Sequence, residues 1–154
     1  MIDESIDISI PQEHYNSYEF NPNTHAHTIA EFIDNAIQSF DNNITEIQRL
    51  EHGTVCHVDV SFEFDEYGKV VKYIIKDNAG GISQERLQDA LRMSKKADDT
   101  SGLNEYGVGM KTAALWLGHE YTLQTKALNE DFVQEVTFNL EKVTSERLKR
   151  LPVK

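Results

Sequence analysis

Cysteine is almost absent from this chain: its 154 residues include one, Cys56. A lone thiol excludes an internal disulfide and a zinc site of the four-ligand kind, so Cys56 is expected to be a small buried apolar residue. Basic charge is also scarce. There are 15 Lys and Arg against 26 Asp and Glu, a net charge of -11. That balance argues against direct, broad binding to nucleic acid, which needs a basic footprint. Lys95, Lys96 and Lys111 still form a local basic group able to meet phosphates. No apolar run nears the ~20 residues of a membrane span. Met1-Ile2-Asp3-Glu4 is acidic and lacks a secretory signal pattern, which makes the cytoplasm the expected location. The histidines show no metal-ligand spacing, and His25 and His27, two apart before a helix, read as surface or capping residues. Internal repeats, low-complexity tracts and a G-x-x-x-x-G-K-[ST] phosphate loop are absent too.

What remains has the composition of a folded domain, 39% hydrophobic and 27% charged. At this length one domain is expected, burying about 70% of its unfolded surface. Residues 1–23 are polar, carry Pro11 and Pro22, and read as an N-terminal arm or edge strand rather than core. Residues 24–154 read as the domain proper. Ile29, Phe32, Ile33, Ala36, Ile37 and Phe40 follow the helical spacing i, i+3, i+4, i+7 and predict a helix over 25–42. Residues 44–51 predict a short second helix. Val58, Val60, Phe62 and Phe64 alternate with polar residues, and after the turn Asp65-Glu-Tyr-Gly68 the chain returns over 70–76, which predicts a hairpin ending at Asp77. Ser83 is placed to cap a helix running to about Met93, with Leu87, Ala90 and Leu91 inward. Residues 94–106 show little periodicity. A helix from about Gly109 to Gly118, strands near 120–126 and 132–138, and one more helix within 139–154 complete the order. This is not the βαβ alternation of a parallel sheet. It predicts an α+β fold, with helices on one face of a largely antiparallel sheet.

Three short motifs carry chemistry. Glu31 and Asn35 lie four apart and so share one helix face. An asparagine carbonyl suits magnesium, which takes few protein ligands beside water and phosphate. A glutamate one turn earlier is placed to accept a proton from an attacking water. Asp77 precedes Asn78-Ala79-Gly80-Gly81. A buried carboxylate there would accept from the exocyclic amine of adenine and repel the oxygen of guanine. Gly107-Val108-Gly109 opens a helix whose free N–H groups favour phosphate. Lys111, a cation in that first turn, is unfavourable unless an anion joins it. Taken singly, each motif is also an ordinary solvated stripe, an Asp-Asn-x-Gly turn, or a helix start.

Their order and spacing are more specific, and here the chain resembles the GHKL ATPase superfamily (gyrase, heat-shock chaperone, histidine kinase, mismatch-repair) over roughly residues 25–140. Glu31-x-x-Asp34-Asn35 is similar to its N box, Asp77 to Gly81 to its first glycine box, and Gly107 to Lys111 to its second, with 94–106 in the position of the ATP lid. The stretches Gly107 to Gly118 and Tyr121 to Lys126 resemble MORC-type and chaperone-type members most. The resemblance implies the Bergerat fold, a two-layer α/β sandwich with a mixed sheet. It implies ATP and Mg2+ as ligands, Glu31 as the general base and Asn35 as the metal ligand. It implies nucleotide contacts from Asn35, Asp77, Gly81, Met93, Gly107, Val108, Gly109, Lys111 and Thr125. Nucleotide-dependent homodimerisation, with residues 1–23 as an exchanged arm, and further domains or protein partners are also implied. Two departures stand out. Ala79 replaces the first glycine of the usual D-x-G-x-G, which is tolerable at negative φ. No Gly-Thr pair follows residue 140, and Thr125 is the available substitute. The competing functions are a non-hydrolysing nucleotide sensor and a serine kinase of the anti-sigma-factor type.

Overall fold

The computed structural model describes residues 5–8, 25–91, 114 and 117–154. Its elements run β1 (Ser5–Asp7), α1 (His25–Asn42), α2 (Ile44–Leu50), β2 (Val58–Phe64), β3 (Val70–Asp77), α3 (Gln84–Leu91), β4 (Glu120–Thr125), β5 (Gln134–Asn139), α4 (Leu140–Ser145) and β6 (Arg150–Pro152). The fold is α+β. Every strand pair among the described residues is antiparallel: β1 with β6, β2 with β3, and β4 with β5.

The core gathers where the chain's two ends meet. Ile6 and Ile8, Leu87 and Leu91 of α3, Val136 and Phe138 of β5, Leu140 and Val143 of α4, and Leu151 of β6 form one buried cluster. Residues 5–8 were expected outside the core, yet Ile6 and Ile8 are each 2% exposed. Three-residue strands carry no readable period, so only the pairing of Ile6 with Leu151 reveals them as core. Past β6, Lys154 and Glu135 exchange both backbone hydrogen bonds at 3.0 Å, as an antiparallel pair does, which ties the β1–β6 pair to β5. Tyr121 stacks on its cross-strand partner Phe138 with ring centroids 5.4 Å apart.

The hairpin β2–β3 and helix α1 make the other half. In register, Val58, Val60 and Phe62 oppose Asp77, Ile75 and Tyr73, which puts these residues on one face of the hairpin. Burial fades along that face from half-buried Val60 and Ile75 to Phe64, which is 60% exposed. The alternation announced a face and said nothing of how far it is covered. On α1, Thr28, Ala36 and Phe40 are buried and Ile37 is exposed. Burying Phe40 alone contributes about 1.5–3 kcal/mol. Asn43 joins α1 to α2: its N–H donates to Phe40 O and its carbonyl accepts from Ile47 N–H.

Candidate functional site

Helix α1 presents Glu31, Asn35 and Ser39 at steps of four residues, about 6 Å of rise each, so they form one slowly winding row, and Asn43 follows just past the helix end. Glu31 and Asn35 are half-buried and Asp34, between them, is exposed. Glu31 Oε1 lies 3.6 Å from His27 Nε2, one turn earlier. The two histidines therefore lie inside the first turn of α1 rather than before it, and His25 Nδ1 is 3.3 Å from Tyr73 Oη.

The end of β3 meets the other end of this row. Asp77 pairs with Val58 and accepts at Oδ1 from the Ala79 N–H at 2.9 Å, a local turn of the aspartate type. Asn78 prolongs the hairpin: its Oδ1 accepts from His57 N–H at 2.7 Å and its Nδ2 donates to Val55 O at 2.9 Å. Ala79 avoids the left-handed region, since Arg147 is the one non-glycine at positive φ among the described residues. Gly80, buried, donates its N–H to Ser39 Oγ at 3.3 Å and lies against the Asn43 side chain. Gly81 turns the chain at φ +67 beside the Lys126 carbonyl.

The β4–β5 hairpin holds the turn from the far side. Thr125 Oγ1 accepts from Ile82 N–H at 2.8 Å, and Leu128 N–H donates to Gly80 O at 3.3 Å. Gln134, 3% exposed, reaches Ile82 O and Glu130 Oε2 with its Nε2, while Glu130 Oε1 accepts from Gln84 N–H at the start of α3. The Gln134 Oε1 atom is buried and has no hydrogen-bond partner among the described residues.

Two expectations need correction. Asp77 was expected to be buried and is exposed, because it sits at the open end of the hairpin. Cys56 is half-buried rather than fully buried. Burial pushes its thiol pKa up, and the carboxylates of Asp77 and Asp41 push it further.

The structure therefore links the C-terminal part of α1, through Ser39, to the turn of Asp77 and Gly81, and that turn, through Ile82, to Thr125. No hydrogen bond joins Thr125 to Asp77; its hydroxyl serves Ile82. Met93, Lys95, Lys96, residues 94–106 expected as the ATP lid, Gly107, Val108, Gly109 and Lys111 lie outside the described residues. Beyond them Gly118 N–H donates to Ala114 O at 3.2 Å, closing the helix that contains Ala114 and Leu117. Sequence reasoning missed Ser39, Asn43, Asn78 and Gln134. The i+4 spacing from Asn35 pointed to the first two, Asn78 stood inside the Asp77 to Gly81 motif without a role of its own, and Gln134 carried no signal.

Among the described residues no three His, Cys, Asp or Glu cluster to hold a metal, and no helix is long and apolar enough to cross a membrane. The donor set near Asn35 is a carboxamide and a carboxylate. It fits magnesium held by few protein oxygens, and not a cation that needs a full protein cage.

These features define a class, an α+β domain with a polar helix face fastened to a glycine turn. The family described as "Histidine kinase-, DNA gyrase B-, and HSP90-like ATPase" matches residues 23–154, and the chain belongs to it. Membership implies ATP binding. No curated protein matches the chain significantly.

Proposed function

We propose that this domain binds ATP with Mg2+ and hydrolyses it. The observation that supports this most is the fastening of the Asp77 turn to the helix of Glu31 and Asn35 through Ser39 and Gly80. It ties the turn that carries Asp77 to the C-terminal part of the helix that carries Glu31 and Asn35, which supports reading a nucleobase end and a phosphate end as parts of one site.

In this reading Asp77 accepts from the adenine amine, and the guanine oxygen is repelled there. The amides of Gly107, Val108 and Gly109 and the Lys111 ammonium meet the phosphates. The Asn35 carbonyl oxygen holds the metal, which when bound neutralises phosphate charge and orders the phosphate oxygens. Glu31 takes the proton from the water that attacks the terminal phosphorus. Residues 94–106 close over the nucleotide, and closure favours a dimer of two chains in which residues 1–23 cross over. Further domains or protein partners, a MORC-like kinship and a cytoplasmic location belong to the same proposal. A non-hydrolysing sensor is the second reading, favoured by the Thr125 hydroxyl accepting from the Ile82 N–H rather than serving Asp77.

ATP turnover by wild type and Glu31→Ala tests the proposal. The substitution is expected to lower the rate ~10²–10⁴-fold with ATP affinity retained. Equal, near-zero rates for both would establish the sensor, and transfer of phosphate to a protein would establish a kinase.

A further inference from the structure

We infer that Ser39 and Asn43 are positioning residues that set the Asp77 turn against the helix carrying Glu31 and Asn35, and that Gly80 is glycine because Asn43 fills the space of its missing side chain. The inference rests on the nucleotide role proposed above and deepens it by naming what fixes the distance between the base-reading carboxylate and the phosphate end.

Asn43 occupies the residue before α2, where asparagine ordinarily caps the helix with its side chain. Here it makes no cap bond. Its Nδ2 turns back instead and donates to Ser39 O at 2.7 Å. This places the carboxamide over Gly80. A Cβ built on Gly80 would fall on Asn43 Nδ2 and stand 2.6 Å from its Cγ. Gly80 does not have the positive φ that would demand glycine; Gly81 does. The requirement at Gly80 is therefore space alone, and a side chain takes that space. The same residue gives its N–H to Ser39 Oγ, so two side chains of one helix end hold a single buried residue of the turn.

Rigid links connect this contact to both ends of the site. Ser39 is one helical turn from Asn35 and two from Glu31, at distances the helix fixes. Asp77 is bound to the same turn through Ala79 N–H. Reactive groups misplaced by about 1 Å lose on the order of 10²-fold in rate, so this fixing bears on turnover as well as on binding.

Calorimetric titration of the full chain with MgATP and with MgGTP tests the inference, using wild type, Asp77→Asn, Gly80→Ala, Gly80→Ala with Asn43→Gly, and Ser39→Ala. Gly80→Ala is expected to weaken ATP binding about tenfold or more and to narrow the preference for ATP over GTP. Adding Asn43→Gly, so that the new methyl group takes the place the carboxamide held between helix end and turn, restores most of both. Ser39→Ala narrows the preference in a protein that keeps its circular dichroism. The ATP-to-GTP ratio is the deciding reading, since a merely structural contact would alter stability and leave base choice alone. A folded Gly80→Ala with wild-type affinity and preference overturns the inference, as does a double variant no better than Gly80→Ala. If Gly80→Ala does not fold, an unchanged preference in Ser39→Ala overturns it. Wild type that binds neither nucleotide overturns the underlying reading and this one with it. Wild type whose preference is lost in Asp77→Asn but kept in Gly80→Ala and Ser39→Ala overturns this one alone.

Discussion

Replacing Gly81 by alanine should destabilise the domain more than replacing any other described glycine at positive φ. Gly53, Gly68 and Gly81 have φ values of +88, +78 and +67. A side chain in the left-handed region costs about 1–2 kcal/mol wherever it stands. At Gly53 and Gly68 that is the whole expense, because a Cβ there meets nothing within 4 Å. At Gly81 the Cβ would fall on the Lys126 carbonyl oxygen, with the carbonyl carbon at 2.6 Å. A backbone group cannot rotate aside as a side chain can, and overpacking of this kind adds about 1–3 kcal/mol. Gly81→Ala should therefore lose about 2–5 kcal/mol and Gly68→Ala about 1–2 kcal/mol. For 154 residues the unfolding entropy is about 0.3 kcal/mol per degree, so the Tm should fall by about 6–15 °C and 3–6 °C respectively. Urea titration and thermal melting of the two variants measure the difference. Equal losses would refute the idea that the turn is pressed against the end of β4.

Thr125→Val leaves the Ile82 N–H without its acceptor and should cost about 1–3 kcal/mol. Thr122→Val on the same strand removes only an exposed bond to Thr137, and its effect should stay within about 0.5 kcal/mol; urea midpoints that do not separate the two would count against a structural role for Thr125. Cys56 should react with iodoacetamide at pH 8 more slowly than the urea-unfolded chain, since the thiolate is the nucleophile and burial, with Asp77 and Asp41, disfavours it. Asp77→Asn removes one of those charges and should speed alkylation; an unchanged rate would separate Asp77 from Cys56. The raised thiol pKa also sets a sign for stability: its contribution is full below the unfolded thiol's pKa of about 8.5 and is lost as pH rises through the higher folded value.

Periodicity made α1 and the two hairpins legible because both signals are local: a helix or a strand writes its buried face into its own spacing. The same spacing put Glu31 and Asn35 on a shared face before any coordinates. What periodicity cannot write is the partner of a face. Phe62 and Phe64 read as inward like Val58, and the structure leaves both exposed. Ile6 and Leu151 meet across almost the whole chain from strands of three residues, too short for any pattern. Ser39 and Asn43 carried no readable role, because nothing local distinguishes a hydroxyl or a carboxamide facing water from one facing Gly80. Asp77 illustrates the converse. Its place at a strand end was readable, while its exposure depends on how the hairpin's open end is set in space.

Gly80 and Gly81 are identical letters with different reasons, and the difference predicts genetics as well as energetics. Gly80 is hemmed in by a side chain, that of Asn43. Gly81 is hemmed in by the backbone of Lys126 and by its own φ of +67. A side chain can be shortened by mutation; a carbonyl and a dihedral cannot. A library of single second-site substitutions, screened for recovered solubility and thermal stability in Gly80→Ala, should return position 43 filled by glycine or another small residue. The same library in Gly81→Ala should return no recovery from changes at Lys126, because every residue there keeps the obstructing carbonyl. Contacting residues should show coupling of about 0.5–3 kcal/mol in the first case. Recovery of Gly81→Ala by a substitution at Lys126, or failure of position 43 to appear for Gly80→Ala, would mean that the turn is held by something other than these two neighbours.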